Sequence, residues 1–472
     1  MYDGKELPPN GANPEIGERG VFMNGKMIRD SMHNPGARVF TIIWAGQFVS
    51  LVGSGLTGFA LGVWVYLTTG SVTQFSLILL STAVPAIVMS PVAGALVDRW
   101  DRRKAMILSD SGAALSTLAI AVLLTMNSLE IWHIYIIMAI SSAFSSFQWP
   151  AYSAATTLLV PKKHLGRAAG MVQTAQAVGQ IVSPALAGML LVTVEIWGII
   201  LIDFATFLFA LVTLLMVRFP HPKITAEGKA GKGSLLREAV YGWYYITARR
   251  GLFSLLIFFA VTNFIFGFAD VLFVPLVLSF ASPVVLGTLS SFGGVGMLAG
   301  GILMSVWGGP KRRIHGILGF SLILGALVAL GGLRQNILLL AGVIFFVLFT
   351  IPIMNGCSQA IWQTKTAPDV QGRVFAVRRM IGGSIMPLSY IGAGPLADKV
   401  FEPLMAVNGA LAESVGKIIG VGPGRGIGLL FIVVGVLCML ITVACYLYPP
   451  LRFVEDDLPD VVGEDVPAAP VS

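Results

Sequence analysis

The sequence is poor in charged residues and in the residue types that bind metals or form disulfides. Only 12% of its 472 residues are charged, and it has three cysteines and five histidines. Average soluble proteins are about 25% charged, so this composition excludes an ordinary soluble protein. The cysteines lie in apolar runs, which favours core packing over disulfides, and the histidines have no metal-ligand spacing. We expect no metal and no cofactor.

Apolar residues dominate instead, at 56% of the chain, and the mean hydropathy is +0.82. Apolar segments long enough to span a bilayer recur along the chain, and lipid tolerates only helices or closed barrels. The pattern predicts an all-α membrane protein with twelve transmembrane helices in two six-helix bundles. The predicted spans are 38–66, 71–97, 104–126, 130–159, 167–193, 197–218, 251–280, 284–308, 314–333, 337–364, 378–402 and 425–448.

The basic residues predict how these spans are oriented. If the N-terminus lies in the cytoplasm, 27 of the 31 Lys and Arg residues fall in cytoplasmic loops and tails. Lys and Arg concentrate on the cytoplasmic side of membrane proteins. This distribution predicts a protein of the cell (inner) membrane with both termini in the cytoplasm. The net charge of +7 is explained by the topology, so we expect no nucleic-acid partner.

Two landmarks recur at nearly the same offset and indicate a tandem repeat. Trp100 recurs as Trp307, and the pair Gly166-Arg167 recurs as Gly372-Arg373. Both six-helix units start on the same side, as expected for parallel repeats with a cavity between two bundles.

The chain divides into five predicted segments. Residues 234–248 are predicted to form an amphipathic helix at the inner membrane surface, and disorder is expected after Pro450. The segments are an N-terminal tail (1–37), a first bundle (38–218), a linker (219–250), a second bundle (251–448) and an acidic tail (449–472).

The loop after the second span has an unusual pattern. It runs from Gly94 through Asp98, Arg99 and Arg102. A glycine allows close helix approach, and a carboxylate at this position can meet a helix N-terminus and adjacent arginines. The alternative is a loop whose positive charge only sets the topology.

This Gly-x-Leu-x-Asp-Arg spacing resembles the major facilitator superfamily. The resemblance implies a cytoplasmic gate motif at Gly94, Asp98, Arg99 and Arg102, which latches the two bundles during transport. Asp101 replaces the second glycine of the family pattern, and Ser305 occupies the position of the acid in the second repeat.

Span 5 resembles the antiporter motif of the superfamily at Gly179, Pro184 and Gly188. The resemblance implies export against inward-moving protons, whereas the alternative is generic packing of small residues. Further segments, including Ile202–Phe207 and Gln371–Phe375, are similar to macrolide-efflux and enterobactin-exporter drug:proton antiporters.

Acids inside the spans are candidates for proton coupling, because ionisable groups in a membrane are expensive and usually functional. These candidates are Asp110, Asp203 and Asp270, each of which could alternatively be structural. Asp398 and Glu402 are interpreted as structural acids. Arg378 and Arg379 are interpreted as anchors that extend toward the membrane surface.

Amide and aromatic side chains toward the middle of the spans could line a cavity for a bulky amphiphile. They could equally form hydrogen bonds that hold helices together. The candidates are Gln47, Gln148, Trp149, Gln173, Gln176, Asn263, Phe266, Asn355, Gln359 and Trp362.

These features predict a secondary transporter that exports a bulky amphiphilic small molecule, such as a drug, macrolide, siderophore or peptide natural product. Transport would use proton antiport and alternating access, by a monomer whose partners are its substrate, protons and membrane lipid. The alternatives are an uptake symporter or lysolipid flippase on the same fold, a passive receptor or channel, and a membrane-embedded enzyme. An enzyme would need a converging set of catalytic side chains, and the sequence offers none.

Overall fold

The computed structural model of the protein describes residues 35–97, 100–160, 165–217, 235–366 and 371–460. Within these ranges the regular elements are helices. Ten of them are long and apolar enough to cross a membrane. Two further crossings are each built from consecutive shorter helices, which gives twelve crossings among the described residues.

The first six crossings form the N-terminal bundle. Gly70, at φ +64°, makes the turn between the first two helices, a backbone conformation that glycine adopts readily. The helices are α1 (Pro35–Thr69), α2 (Val72–Val97), α3 (Arg102–Thr125), α4 (Ile131–Ser145), α5 (Gln148–Leu159), α6 (Leu165–Thr193) and α7 (Glu195–Met216).

The amphipathic helix α8 (Leu235–Thr247) comes before the second bundle and packs against its eleventh crossing. The bundle consists of α9 (Arg250–Leu278), α10 (Pro283–Trp307), α11 (Arg313–Leu333), α12 (Ile337–Lys365), α13 (Gln371–Ser384), α14 (Met386–Leu396), a π-helical turn (Ala397–Phe401), α15 (Glu402–Met405), α16 (Gly416–Ile419) and α17 (Arg425–Leu447).

Both interrupted crossings have a proline just after the interruption. Pro150 lies in the first turn of α5, and Pro387 lies in the first turn of α14. Proline has no N–H to donate and clashes with the carbonyl one turn earlier, so the preceding helix ends. The eleventh crossing begins at Gln371, seven residues before the predicted start at 378. The prediction began too late because arginines in the first two turns of the helix resemble a loop in composition.

The two bundles contact each other at one end of the molecule. We use "terminal end" for the end where α1 begins and α17 finishes, and "far end" for the opposite one. At the far end α6 and α10 touch: a methyl group added at Gly188 would lie 2.5 Å from the carbonyl oxygen of Pro283. The interface is therefore tight at the far end.

Asp398 closes the far end from the other side of the interface. Its carboxylate accepts hydrogen bonds from the backbone N–H groups of Val72 (3.0 Å) and Thr73 (2.8 Å), and from the Ser71 hydroxyl (2.7 Å). These groups form the N-terminus of α2, where a negative charge is favourable. A side chain of the C-terminal bundle thus caps a helix of the N-terminal bundle.

The expectation of disorder after Pro450 is wrong for residues 450–460. Helices α18 (Pro449–Arg452) and α19 (Val454–Asp457) pack back onto the second bundle. Leu451 and Val454 are buried, and their apolar contacts hold the segment in place. Residues 461–472 lie outside the described residues.

Candidate functional site

A cavity of about 310 Å³ lies within the N-terminal bundle, lined by residues of α1, α3, α4, α5, α6 and α7. Pockets for drug-sized ligands typically have volumes of about 300–1,000 Å³ and are mostly apolar with a few polar groups. The lining here fits that description. Its polar members include Gln47, Ser54, Asp110, Thr117, Gln148, Gln176 and Asp203.

Asp110 forms the first polar station of the cavity. It lies two turns into α3 and is buried. The Gln47 side-chain amide donates to its carboxylate at 2.8 Å, and Gln148 in turn donates to the Gln47 oxygen. The position of Gln148 follows from the break before α5, which presents the start of that helix to the cavity.

Asp203, on α7, forms the second polar station and is also buried. It accepts hydrogen bonds from Ser54 of α1 (3.3 Å) and Thr117 of α3 (3.2 Å). All of these partners are neutral hydroxyl groups. In the part of the chain that the structure describes, no cation lies within 4 Å of Asp110 or Asp203.

The two stations lie along one groove between α1 and α3. Ser54 follows Gln47 by seven residues, and Thr117 follows Asp110 by seven residues. Seven residues are close to two helical turns, so each pair shares a helix face and is separated by about 10 Å along the axis. The cavity therefore connects two acids at different depths.

An aromatic wall borders the same cavity. Trp44 and Phe48 stack with ring centroids 5.7 Å apart, and the Trp44 indole donates to the carbonyl of Met171 at 2.9 Å. Trp149, at the start of α5, is half-exposed and lines the cavity. Flat aromatic surfaces beside amide and hydroxyl groups suit a bulky amphiphile.

The structure brings some of the sequence-predicted residues together and separates others. Asp110, Asp203, Gln47, Gln148, Trp149 and Gln176 all line this cavity. Gln173 lies on the same helix as Gln176 but is exposed and does not line the cavity. The remaining candidates lie in the C-terminal bundle.

Phe266 and Trp362 were expected to line a cavity but pack into apolar cores. Trp362 is 0% exposed among residues of α9, α11, α12 and α13. Phe266 is partly buried against an apolar core that includes residues of α9, α11 and α17 and also Val63 and Phe75 of the first bundle.

Three polar candidates of the second bundle take other positions. Asn263 donates to the Gly382 carbonyl at 3.5 Å, close to the break between α13 and α14. Asn355 is exposed, and Gln359 accepts a hydrogen bond from Arg378 at 2.8 Å. Asp270, an exposed acid on α9, accepts a hydrogen bond from the Tyr390 hydroxyl at 3.3 Å. It does not line the cavity that Asp110 and Asp203 share.

The loop motif is only partly within the described residues. Gly94 is in the last turn of α2, while Asp98 and Arg99 lie outside the described residues. Arg102 begins α3 and is half-buried, and its Nε has no hydrogen-bond partner among the described residues. The neighbouring Arg103 donates to the carbonyls of Leu214 and Leu215 at the end of α7.

The antiporter-like segment of α6 forms the interface between the bundles. A methyl group at Gly287 of α10 would lie 2.2 Å from the carbonyl oxygen of Pro184. The Ser291 hydroxyl donates to the Ile181 carbonyl. Gly179, nearer the terminal end, faces Leu51 of α1. The small residues of this segment therefore permit close contact with both α1 and α10.

Ser54 and Thr117, the hydrogen-bond partners of Asp203, were not identified from the sequence. Each follows an identified cavity residue by seven positions, and this spacing was the available signal. Arg378 was interpreted as an anchor to the membrane surface, yet its guanidinium turns toward α12.

Comparison with known proteins gives the family. A family model described as Major Facilitator Superfamily matches residues 43–390. The chain belongs to the major facilitator superfamily. It is a multi-pass membrane transporter and not an enzyme, as the sequence predicted.

Relatives of this major facilitator protein include exporters. The chain is 31% identical to macrolide efflux protein A of Streptococcus pyogenes over 369 residues, covering 76% of this chain and 90% of that protein. It is 28% identical to enterobactin exporter EntS of Salmonella typhi over 184 residues, covering 39% and 44% of the two chains.

The fold is also found among solved transporters. A bacterial homologue of the human lysosomal transporter Spinster, in an inward-facing and unoccupied conformation, matches with a TM-score of 0.68. It is 15% identical, and the match covers 89% of this chain and 98% of that one. The predicted fold class is therefore confirmed.

Proposed function

We propose that this major facilitator protein exports bulky amphiphilic small molecules in exchange for protons. The observation that carries the proposal is the pair of buried acids, Asp110 and Asp203, which face one amphiphilic cavity with neutral partners only. The names of the relatives support export, since one is a macrolide efflux protein and another exports enterobactin.

The proposed coupling follows from the cost of an unpaired charge in a low-dielectric site. When the cavity is dry, the neutral protonated carboxyl is the cheaper form. When the cavity opens to water, the carboxylate regains hydration and releases its proton. A substrate that displaces water from Asp110 or Asp203 therefore changes which protonation state of that acid is favoured, and this couples substrate binding to proton binding.

We further propose that the protein lies in the cell (inner) membrane with its terminal end facing the cytoplasm, so that both termini are cytoplasmic. The excess of Lys and Arg in the loops of that end supports this orientation. The tight far end then corresponds to a state that loads substrate from the cytoplasm. In the alternate state the interface would close around the α2–α3 loop, where Asp98, Arg99 and Arg102 act as a latch in a monomeric transporter.

Flux measurements on reconstituted protein test the proposal. In vesicles that hold the terminal end outward, an imposed gradient with an acidic lumen should drive uptake of a lipophilic fluorescent dye such as ethidium or Hoechst 33342. Loss of uptake when the gradient is collapsed is expected. Gradient-independent uptake, or none across a broad dye panel, would contradict proton antiport.

Matched acid variants test the site. Asp110→Asn and Asp203→Asn should each lower gradient-driven uptake at least 10-fold while leaving dye binding measurable. Asp270→Asn, in the second bundle, is the matched control and should retain coupling. Coupling that survives in both first-bundle variants and is lost in Asp270→Asn would transfer the proton site to α9.

A further inference from the structure

A positively charged side chain lies inside the second bundle without a charged partner. Arg378 is two turns into α13, about 10 Å along the helix from its start. Its guanidinium donates to the Gln359 side-chain oxygen at 2.8 Å and to the Ser358 hydroxyl at 3.0 Å. The guanidinium carbon also lies 5.4 Å from the ring centroid of Trp362. A side chain that merely extended toward the membrane surface would point the other way, to headgroup water.

All of these contacts are neutral. The ion pairs within 4 Å among the described residues are Arg312–Asp456 and Lys365–Asp460, and neither includes Arg378. Arg379, next in the chain, is exposed and makes none of these contacts. Arginines within membrane spans normally pair with an acid or face a pathway, so this site has positive charge that the protein itself does not balance.

The guanidinium lies beside an accessible polar face. Gln359 and Asn355 are four residues apart on α12, on the same side of the helix, and Asn355 is exposed. An exposed amide within a span is favourable only beside water, not lipid. Arginine has five N–H donors in a planar fork, and two of its nitrogens are engaged by neutral groups. The remaining N–H donors are available to a ligand that approaches from the side of Asn355.

We infer that Arg378, held by Gln359 and Ser358, binds an acidic group of the transported amphiphile. The chemical class is an oxyanion, such as a carboxylate or an acidic phenol, attached to a hydrophobic body. A guanidinium fork matches such oxygens bidentately, which an ammonium cannot do. Gln359 and Ser358 serve as positioning residues, since their oxygens fix the orientation of the fork. This inference rests on the proposed function and adds a substrate preference to it.

A matched pair of fluorescent probes tests the inference in purified protein. Pyrenebutyrate and its methyl ester share one hydrophobic body and differ in the oxyanion. Wild-type protein in neutral detergent should bind the acid at least about 10-fold tighter than the ester, because hydrogen bonds to charged groups exceed neutral ones. An equal affinity for the two probes would overturn the inference.

Variants then assign the preference to one side chain. Arg378→Gln should bring the acid-to-ester ratio of affinities close to one while the ester affinity stays within about twofold, which also shows that the variant is folded. Arg378→Lys should retain part of the ratio, because it keeps the charge but loses the fork. Arg379→Gln is the matched control and should leave the ratio unchanged. An unchanged ratio in Arg378→Gln, or an equal loss in Arg379→Gln, would contradict the assignment.

Two further outcomes separate this inference from other possibilities. The binding assay uses no gradient, so proton antiport can fail while the acid preference holds, and the reverse can also occur. Anionic lipid offers the same oxyanion chemistry as a soluble acid. If phosphatidylglycerol displaces pyrenebutyrate in an Arg378-dependent way, whereas a soluble competitor such as naphthoate does not, the site belongs to a lipid headgroup and the substrate assignment is wrong.

Discussion

The two six-helix bundles use their interiors differently. The N-terminal bundle encloses a cavity of about 310 Å³ with two acids at its wall. A void within the C-terminal bundle, under α9, α11 and α17, has a volume of only about 10 Å³. Large side chains such as Phe266 and Trp362 occupy the second interior. One bundle thus offers a cavity with two acids, while the other offers a packed core and the half-buried cation of Arg378.

This difference indicates that two six-helix bundles of one chain can have different interiors. Membrane helices gain little from leaving water, so their association depends on close packing. A bundle that keeps a cavity gives up packing, and its acids cost further stability. We therefore expect the second bundle, with its packed core, to contribute more to stability than the first.

The largest effect should come from emptying the packed bundle. Trp362→Ala removes a fully buried indole and should lower the free energy of unfolding by about 3 kcal/mol, as for other large-to-small core substitutions. Trp149→Ala in the first bundle should cost about 1 kcal/mol or less, because that side chain is half-exposed, and should weaken dye binding instead. Unfolding monitored in detergent measures the first effect. Equal destabilisation by both variants would contradict that expectation.

Filling the cavity should produce the next largest effect. Ala113 lines the cavity on α3, and Ala113→Phe should reduce gradient-driven transport about 30-fold by occupying the space for substrate. Leu115→Phe, on the exposed face of the same helix, is the matched control and should transport normally. A transport assay with a thermal-unfolding control distinguishes blockage from misfolding. Normal transport by Ala113→Phe would place the substrate path elsewhere.

Much of this architecture was predictable from the sequence, because apolar length and charge position constrain membrane helices strongly. Most helix ends lie within three residues of the predicted spans. The eleventh crossing starts earlier than predicted, since Arg373, Arg378 and Arg379 resemble a loop in composition. The folded segment after Pro450 was also missed, because its acids suggested disorder while only a few apolar side chains hold it.

The site was predictable in composition but not in grouping. Asp110, Asp203 and the glutamines stood out because such residues are rare in spans. Ser54 and Thr117 did not, since hydroxyl side chains are common in membrane helices and often bond to their own backbone. Which acids share a cavity depends on how the helices rotate against each other. That information is in the packing of the bundle and not in any one segment.

The contact between the bundles gives a smaller effect. Asp398→Ala removes the cap on α2 and should favour opening of the far end by about 1 kcal/mol, a typical value for loss of a helix cap. Distances between spin labels at Met126 and Val407, both exposed at the far end, should show a roughly fivefold larger population of the wide state. Glu402→Gln is the control, because Glu402 accepts from Gly424 and Ile427 within its own bundle. A similar shift in that control would indicate general loosening.

The smallest effect concerns how each repeat begins its third helix. In the first repeat Asp101 caps α3 by accepting from the Lys104 N–H at 3.0 Å. In the second repeat the cap comes from the C-terminal segment, where Glu455 accepts from the Ile314 N–H of α11 at 2.8 Å. Glu455→Ala should lower the free energy of unfolding by about 0.5 kcal/mol, which is less than the effect of Asp101→Ala. The loss of the cap is partly offset because the released α18–α19 segment gains conformational entropy.

The same segment supplies the partners of a buried cation, Lys365. Removing the segment and removing the cation are therefore two complementary tests. Lys365 is 5% exposed and donates to the carbonyls of Glu455 and Leu458, while Asp460 lies 2.8 Å away. Deleting residues 449–472 would strip the ammonium of these partners, so the truncated protein should unfold at a lower temperature than Glu455→Ala. Lys365→Met should recover much of that loss in the truncated chain, since no charge is then left unpaired. If Lys365→Met does not recover it, the segment stabilises the bundle through Leu451 and Val454 alone.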